Sequence, residues 1–236
     1  RAEEKAVKAI QKHSIKIDET QYNSQIDEAY MLLGKARYFD RRFFPALEAF
    51  NFLLESGANP SIYLEGKIWR EKTNIRLKNT ELAIENLSIL AQSLSKKNKF
   101  YPLVNATLAD AYIQLKQLDS ASLYIHRAAI QEPKRKNKAR YLFISGQLLE
   151  TLQLRDSARL QFKSIGQLNR KAPRTILIQA KIKEMLLASS LETDEKLDQI
   201  EKLLKNFENE PFQHRIHSAI AKLHLGKGRD SLAAVY

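Results

Sequence analysis

Between Ile26 and Pro60 the chain reads IDEAYMLLGKARYFDRRFFPALEAFNFLLESGANP, and its apolar positions keep helical time. They recur at Ala29, Tyr30, Leu33, Ala36 and Phe39, and again at Phe43, Ala46, Leu47, Phe50, Leu53 and Leu54. A short charged turn, Asp40 to Arg42, separates the two runs, so the stretch predicts two antiparallel helices. Small residues stand where two helices must approach: Gly34 and Ala36 on the first, Ala46 and Ala49 on the second. One such pair cannot bury both of its apolar faces, so it needs neighbours stacked on either side.

The rest of the chain repeats this unit more loosely. Ala2, Ala6, Val7, Ala9 and Ile10 share one helical face, so residues 2–13 read as the second helix of a preceding repeat. A longer polar linker, Ser14 to Gln25, follows. The small residue that opens each second helix then falls at Ala46, Ala83, Ala121, Ala158 and Ala233, with Leu197 as a weaker mark, at intervals of 36 to 39 residues. Four residues after the first four of these marks stand Phe50, Leu87, Ile125 and Phe162, each able to pack on the same face. The expected repeats are 26–60, 62–98, 101–136, 138–171 and 174–208, with partial ones over 1–25 and 211–236, in a single solenoid. Because the chain opens and closes within helical pattern, the expectation is a fragment of a longer protein. Any targeting sequence or lipid anchor would then lie outside it.

These residues resemble the tetratricopeptide repeat, whose unit combines spaced large residues with Gly or Ala at position 8 and Ala at position 20. The repeat from Asp27 supplies Tyr30, Leu33, Gly34, Ala46 and Phe50, and departs with Arg37. The repeat from Pro102 supplies Leu108, Ala109, Tyr112, Ala121, Ile125, Ala128 and Pro133. That from Ala139 gives Leu142, Gly146, Leu149, Ala158 and Phe162, while that from Leu64 has Glu71 where Gly or Ala is expected. Residues 175–207 match in periodicity only, and a last repeat begins near His214. The resemblance implies an all-α fold, a right-handed α-solenoid of helix-turn-helix repeats, acting as a non-catalytic scaffold for protein partners.

Over roughly residues 5–95 the chain is also similar to the large repeat lipoproteins of type IX secretion and gliding motility in Bacteroidota. The similarity rests on QIDEAYMLLGKARYFDRRFFPALEAFNFLL and KIWREKTNIRLKNTELAIENL. It implies a location on the periplasmic side of the outer membrane and partners in the secretion translocon. The alternative is a peptide-binding adaptor, or chaperone-like protein, unrelated to secretion.

In repeats of this kind, five positions of each first helix line the concave face. Here they hold Glu28, Met31, Lys35, Tyr38 and Phe39, then Glu65, Ile68, Lys72, Ile75 and Arg76, with Arg140, Phe143, Gln147 and Glu150 farther on. Packing could absorb Met31 and Ile68, so the candidate partner-binding residues are Lys35, Tyr38, Phe39, Lys72, Arg76, Arg140 and Phe143. Members that clamp a chaperone's terminal carboxylate use Asn at position 9. Lys35, Lys72, Asp110 and Gln147 stand there instead, which speaks against that role.

Composition narrows the rest. With 7 Gly, 6 Pro and 44% hydrophobic residues in 236, the chain suits a helical core rather than a β fold. It has no cysteine, so disulfides and thiolate metal sites are excluded, while cytoplasm and periplasm both stay open. No run of apolar residues is long enough to span a membrane. Net charge is +12, concentrated in three connections: Lys96, Lys97 and Lys99; Lys134, Arg135, Lys136 and Lys138; Arg170, Lys171 and Arg174. If each follows a second helix, they form a basic rim fit for an acidic protein or anionic lipid surface. Equally, basic turns keep repeats soluble and complement helix C-termini. Nucleic acid fits poorly, because no aromatics interleave the basic clusters.

Catalytic patterns are missing: there is no phosphate loop, GxSxG or HExxH, and no cofactor is expected. Asp119, Asp156 and Asp230 open second helices, where a carboxylate favours the helix dipole. His214, His217 and His224 fall within about 80° on a helical wheel, a weak metal candidate. His217 and His224 also occupy positions where packing wants a large ring.

Overall fold

The structure is a computed structural model and describes residues 1–14, 16–17, 20–21, 23, 25–55, 59–168 and 171–236. It is all-α apart from one antiparallel pair of two-residue strands, Lys16–Ile17 with Thr20–Gln21, in the linker after the first helix. The chain divides into two compact units, Arg1–Tyr124 and Ile125–Tyr236.

The first unit holds α1 (Ala2–His13), α2 (Gln25–Phe39), α3 (Phe43–Glu55), α4 (Pro60–Arg76), α5 (Thr80–Ser93), α6 (Tyr101–Gln114) and the start of α7 (Leu118–Gln131). The second holds the end of α7, then α8 (Arg135–Thr151), α9 (Arg155–Gly166), α10 (Arg174–Leu187), α11 (Thr193–Glu201), a 3-10 helix (Phe207–Phe212), α12 (Gln213–Gly226) and α13 (Asp230–Ala233). From α1 to α6 in the first unit and from α8 to α13 in the second, consecutive helices pack against one another in chain order, the solenoid arrangement that the repeat period predicts.

The packing follows the marks left by the small residues. Ala46, Ala83, Ala121 and Ala158 are all fully buried, and so are their successors Phe50, Leu87 and Phe162, with Ile125 close behind. Each ring needs a hole. A Cβ added at Gly34 would stand 2.7 Å from Phe50 Cζ, and one at Gly146 would stand 2.7 Å from Phe162 Cζ. Neither helix could come as close with a larger residue there.

Glu71 occupies the equivalent place on α4 by a different device. It is 1% exposed, and its carboxylate accepts hydrogen bonds from Arg70 Nε (2.8 Å), Asn74 Nδ2 (2.8 Å) and Asn86 Nδ2 (3.2 Å). A buried carboxylate so surrounded is satisfied, and it ties α4 to α5.

The turns inside the repeats share one geometry. Arg41, Lys78, Lys116, Gln153 and Gly228 all have φ between 59° and 71°, the left-handed conformation. The next N–H closes back on the carbonyl five residues earlier: Arg42 on Arg37, Asn79 on Asn74, Gln117 on Tyr112, Leu154 on Leu149 and Arg229 on His224. This closure satisfies carbonyls that a helix end leaves open. Four of the five positions hold a side chain rather than glycine and so carry backbone strain.

Pro60 opens α4, with the Asn59 side chain accepting from Ser61 N at 3.0 Å. Two expectations shift. Lys134 to Lys138 are not a connection: Lys134 stands at the N-cap position of α8, without a side-chain capping bond, and the others lie in its opening turns, among a helix's unfavourable positions for cations. The fifth pair has a short second helix, α11, completed by the 3-10 turn, with Leu197 and Ile200 buried beneath it.

Candidate functional site

The first unit gathers Lys35, Tyr38, Phe39, Lys72 and Arg76 around one side chain, Trp69. Its indole has Tyr38 edge-on at 5.3 Å, Phe39 edge-on at 5.6 Å and the buried Phe50 behind it at 6.3 Å. Two ammonium groups stand over its ring, Lys72 Nζ at 4.5 Å and Lys35 Nζ at 5.3 Å. Trp69 itself is half-buried, while Phe39 is 72% exposed and offers its ring to solvent.

Charge around the indole is nearly balanced. Lys35 Nζ donates to Glu65 Oε1 at 2.6 Å. Arg76 donates from Nη2 to Asp110 Oδ2 at 2.7 Å and from Nε to the Tyr38 hydroxyl at 3.1 Å. Lys72 alone has no ion-pair partner among the described residues. Burial pushes its ammonium below the usual lysine range; Asp110 opposes that shift, and Arg76 and Lys35 add to it. Three cations against two carboxylates leave one positive charge, and it sits on an aromatic face. The arrangement can hold one anionic group, with apolar contact beside it.

That apolar contact continues along α2. Leu32, Lys35, Ala36 and Phe39 line a cleft of about 660 Å³ toward α1, and Leu32 is 44% exposed. The cleft's charged edge is already committed: Glu3 accepts from Arg37 Nε at 3.0 Å and also from Arg42 Nη2. Those bonds, Arg42's first, hold the Glu3 carboxyl below its ordinary range.

Trp69 is the residue that counting from Leu64 misses. That count places Ile68 and Ile75 on the groove, whereas they are 0% and 1% exposed and belong to the core, as does Met31. The groove stripe on α4 is Glu65, Trp69, Lys72 and Arg76, spaced by four, three and four residues. That helical spacing was the available signal.

The remaining candidates are dispersed. Phe143 is half-buried and packs edge-on against Phe162 at 5.5 Å, whereas Arg140 is exposed. Of the basic groups, Lys96, Lys97 and Lys99 lie in the first unit and are exposed, Lys99 over the Phe100 ring at 4.9 Å. In the second unit Lys134, Arg135, Lys136 and Lys171 are exposed; Arg135 and the half-buried Lys138 line a cleft of about 770 Å³. Arg174 leaves the free set, because it pairs with Glu208 at 2.9 Å and donates to Asn209 Oδ1. Arg170 lies outside the described residues.

His214, His217 and His224 do not converge. His214 is exposed, while the Tyr236 ring lies 5.5 Å from His217 and 5.9 Å from the buried His224. Among the described residues no three His, Cys, Asp or Glu side chains are grouped to hold a metal. Also among them, no helix is long and apolar enough to cross a membrane.

Comparison with known proteins bears on the fold. No protein-family profile matches the chain, and no curated protein matches it. Solved structures do. A tetratricopeptide repeat protein from Parabacteroides merdae superposes with a TM-score of 0.63 at 16% identity, over 89% of this chain and 77% of its own. MamA gives 0.56 at 18% identity, over 76% of this chain and 96% of its own. A thermophilic TPR protein of Thermus thermophilus gives 0.51 at 21% identity, over 82% and 98% respectively. The fold is that of the tetratricopeptide repeat.

Proposed function

We propose that this chain is a non-catalytic protein-interaction scaffold whose first unit captures an acidic, partly apolar segment of a partner on the Trp69 groove. One observation carries the reading. Lys72 is a half-buried cation with an aromatic face beneath it and no ion-pair partner among the described residues, beside cations that are already paired. Burying an uncompensated charge is unfavourable, and a partner carboxylate would relieve it. Phe39 and Leu32 then offer apolar surface next to the charge.

The finer assignment rests on the sequence resemblance over residues 5–95. On that ground the scaffold belongs to type IX secretion and gliding motility, on the periplasmic side of the outer membrane, joining the translocon to other parts of the machine. Rigid docking of partners is its mechanism. Photoreactive residues at Lys35, Lys72 and Lys136, in the parent protein in native outer membranes, test the assignment. Translocon components captured from Lys35 and Lys72 are the expected result. Capture from those positions of soluble, unrelated proteins alone would refute the secretion role and favour a peptide-binding adaptor, for which the groove is equally suited.

A further inference from the structure

The second helices of the first unit carry a surface that the Trp69 groove does not use. On α3 and α5 four large apolar side chains stay in solvent, Phe44, Phe52, Leu82 and Ile89, three of them at least half exposed. Phe52 is braced by the Tyr30 ring, stacked on it at 4.1 Å. The charges among them have one sign. α3 and α5 contain Glu48, Glu55, Glu81 and Glu85 and not one lysine, arginine or histidine, in a chain whose net charge is +12. All four glutamates are exposed, and none has an ion-pair partner among the described residues.

The repeat sets these residues in rows. Counted from Ala46 and Ala83, the buried marks of the two helices, Glu48 and Glu85 are equivalent positions, and so are Phe52 and Ile89. They therefore face the same way, one repeat apart, with α4 packed against both helices. Along each helix the apolar pair stands two turns apart, about 10–12 Å. Two cations of α4 share a small cleft with Ile89, and both are engaged: Arg70 with Glu71 at 2.8 Å, and Lys67 over the Tyr63 ring at 4.7 Å.

Chemistry narrows the occupant. Four unpaired carboxylates repel an anionic lipid surface. An extended strand would press its backbone N–H and C=O groups against apolar side chains, on helices whose own backbone bonds are closed internally, and those groups would stay unpaired. A helix satisfies its own backbone and presents an apolar stripe with cations on either side. This chain does not offer such a helix in α1, whose Lys5, Lys8 and Lys12 are exposed but whose apolar face is spent on α2. We infer that the exposed face of α3 and α5 docks a basic amphipathic helix of a partner protein, its apolar stripe on Phe52, Leu82 and Ile89 and its cations on Glu48, Glu81 and Glu85. The site does not rest on the Trp69 groove, and it takes a ligand of the opposite charge.

The test uses the full chain and a fluorescein-labelled peptide of about 15 leucines and lysines, the leucines at helical spacing, followed by anisotropy at about 0.1 M salt. The chain as a whole repels such a cation, so binding reports the acidic face. Binding is expected; the same residues shuffled to remove the stripe should bind about tenfold more weakly, and a helix of leucine and glutamate not at all. Leu82→Ser with Ile89→Ser, and Glu48→Gln with Glu85→Gln, should each weaken binding about tenfold, and the four together should abolish it. Circular dichroism should not change, because all four side chains are exposed. Lys72→Gln should leave the affinity as it was, and a matching loss there would move the site to the groove and overturn the inference. Undiminished binding to the fourfold variant would overturn it too, as would equal affinity for the shuffled peptide, which would mean an acidic patch without a docking face. Sedimentation of the chain alone covers the remaining occupant: a monomer is expected, and self-association that the fourfold variant loses would assign the face to a second copy instead.

Discussion

Replacing Gly34 by alanine should reverse the usual sign of that substitution. In the interior of a helix, Gly→Ala ordinarily stabilises by up to about 1 kcal/mol, because glycine loses more backbone freedom on folding. At Gly34 the new methyl would meet the Phe50 ring, 2.7 Å from Cζ and closer still to Cε1, well inside van der Waals contact. Phe50 has no easy retreat: it is fully buried, with Trp69 stacked against it. Overpacking of this kind costs about 1–3 kcal/mol, so after the helix-propensity gain the net result should be a loss of up to about 2 kcal/mol. The chain contains its own controls. Gly166 has no atom within 4 Å of an added Cβ, so Gly166→Ala should be neutral or stabilising. The repeat from Pro102 has Ala109 and Ile125 at the corresponding positions, so Phe50→Ile should let Gly34→Ala be tolerated in the double variant. Urea unfolding followed through Trp69, the chain's one tryptophan, reads the affected contact directly. A Gly34→Ala variant as stable as the parent, or more so, would refute the close-approach account of the helix pairs.

Further tests probe the other packing devices. Glu71→Ala leaves Asn74, Asn86 and Arg70 without their common acceptor, and should cost about 2–4 kcal/mol in a urea melt although it installs the small residue that the repeat favours. Lys116→Gly removes the side chain from a left-handed turn position and should stabilise by about 0.5–1 kcal/mol, where glycine at an ordinary helical site would destabilise. The depressed Glu3 carboxyl makes the α1–α2 contact acid-sensitive. Its contribution is present above the ordinary carboxylate value and is lost as pH falls through the lowered one, so α1 amides should exchange faster in acid, and Glu3→Gln should abolish that difference.

Much of the architecture was legible because packing imposes fixed residues at fixed intervals. Ala46, Ala83, Ala121 and Ala158 had to be small for helices to meet, and all four are buried. The groove was legible only in part. Lys35, Tyr38, Phe39, Lys72 and Arg76 follow from repeat position, but the bonds that decide which cation stays free do not. Lys35–Glu65 and Arg76–Asp110 join residues 30 and 34 apart, beyond any local pattern. Trp69 was lost through phase: with Glu71 where a small residue is usual, nothing fixed the rotation of α4, and the buried Ile68 and Ile75 took its place. The start of α8 misled for another reason. A run of cations reads as a loop because helix N-termini disfavour positive charge, yet the good helix propensity of Arg, Lys and Ala carries the helix to Arg135.

If Lys72 over Trp69 anchors an acidic partner segment, the same indole reports the binding. Titrating the chain with a peptide that carries one glutamate beside a leucine, and following Trp69 emission, gives the binding curve at the site itself. A saturable change in emission is expected, one that weakens with added salt, weakens as alkaline pH removes the Lys72 proton, and is lost in Lys72→Gln while Lys136→Gln retains it. An unchanged titration in Lys72→Gln, or equal binding of the glutamine-for-glutamate peptide, would contradict it.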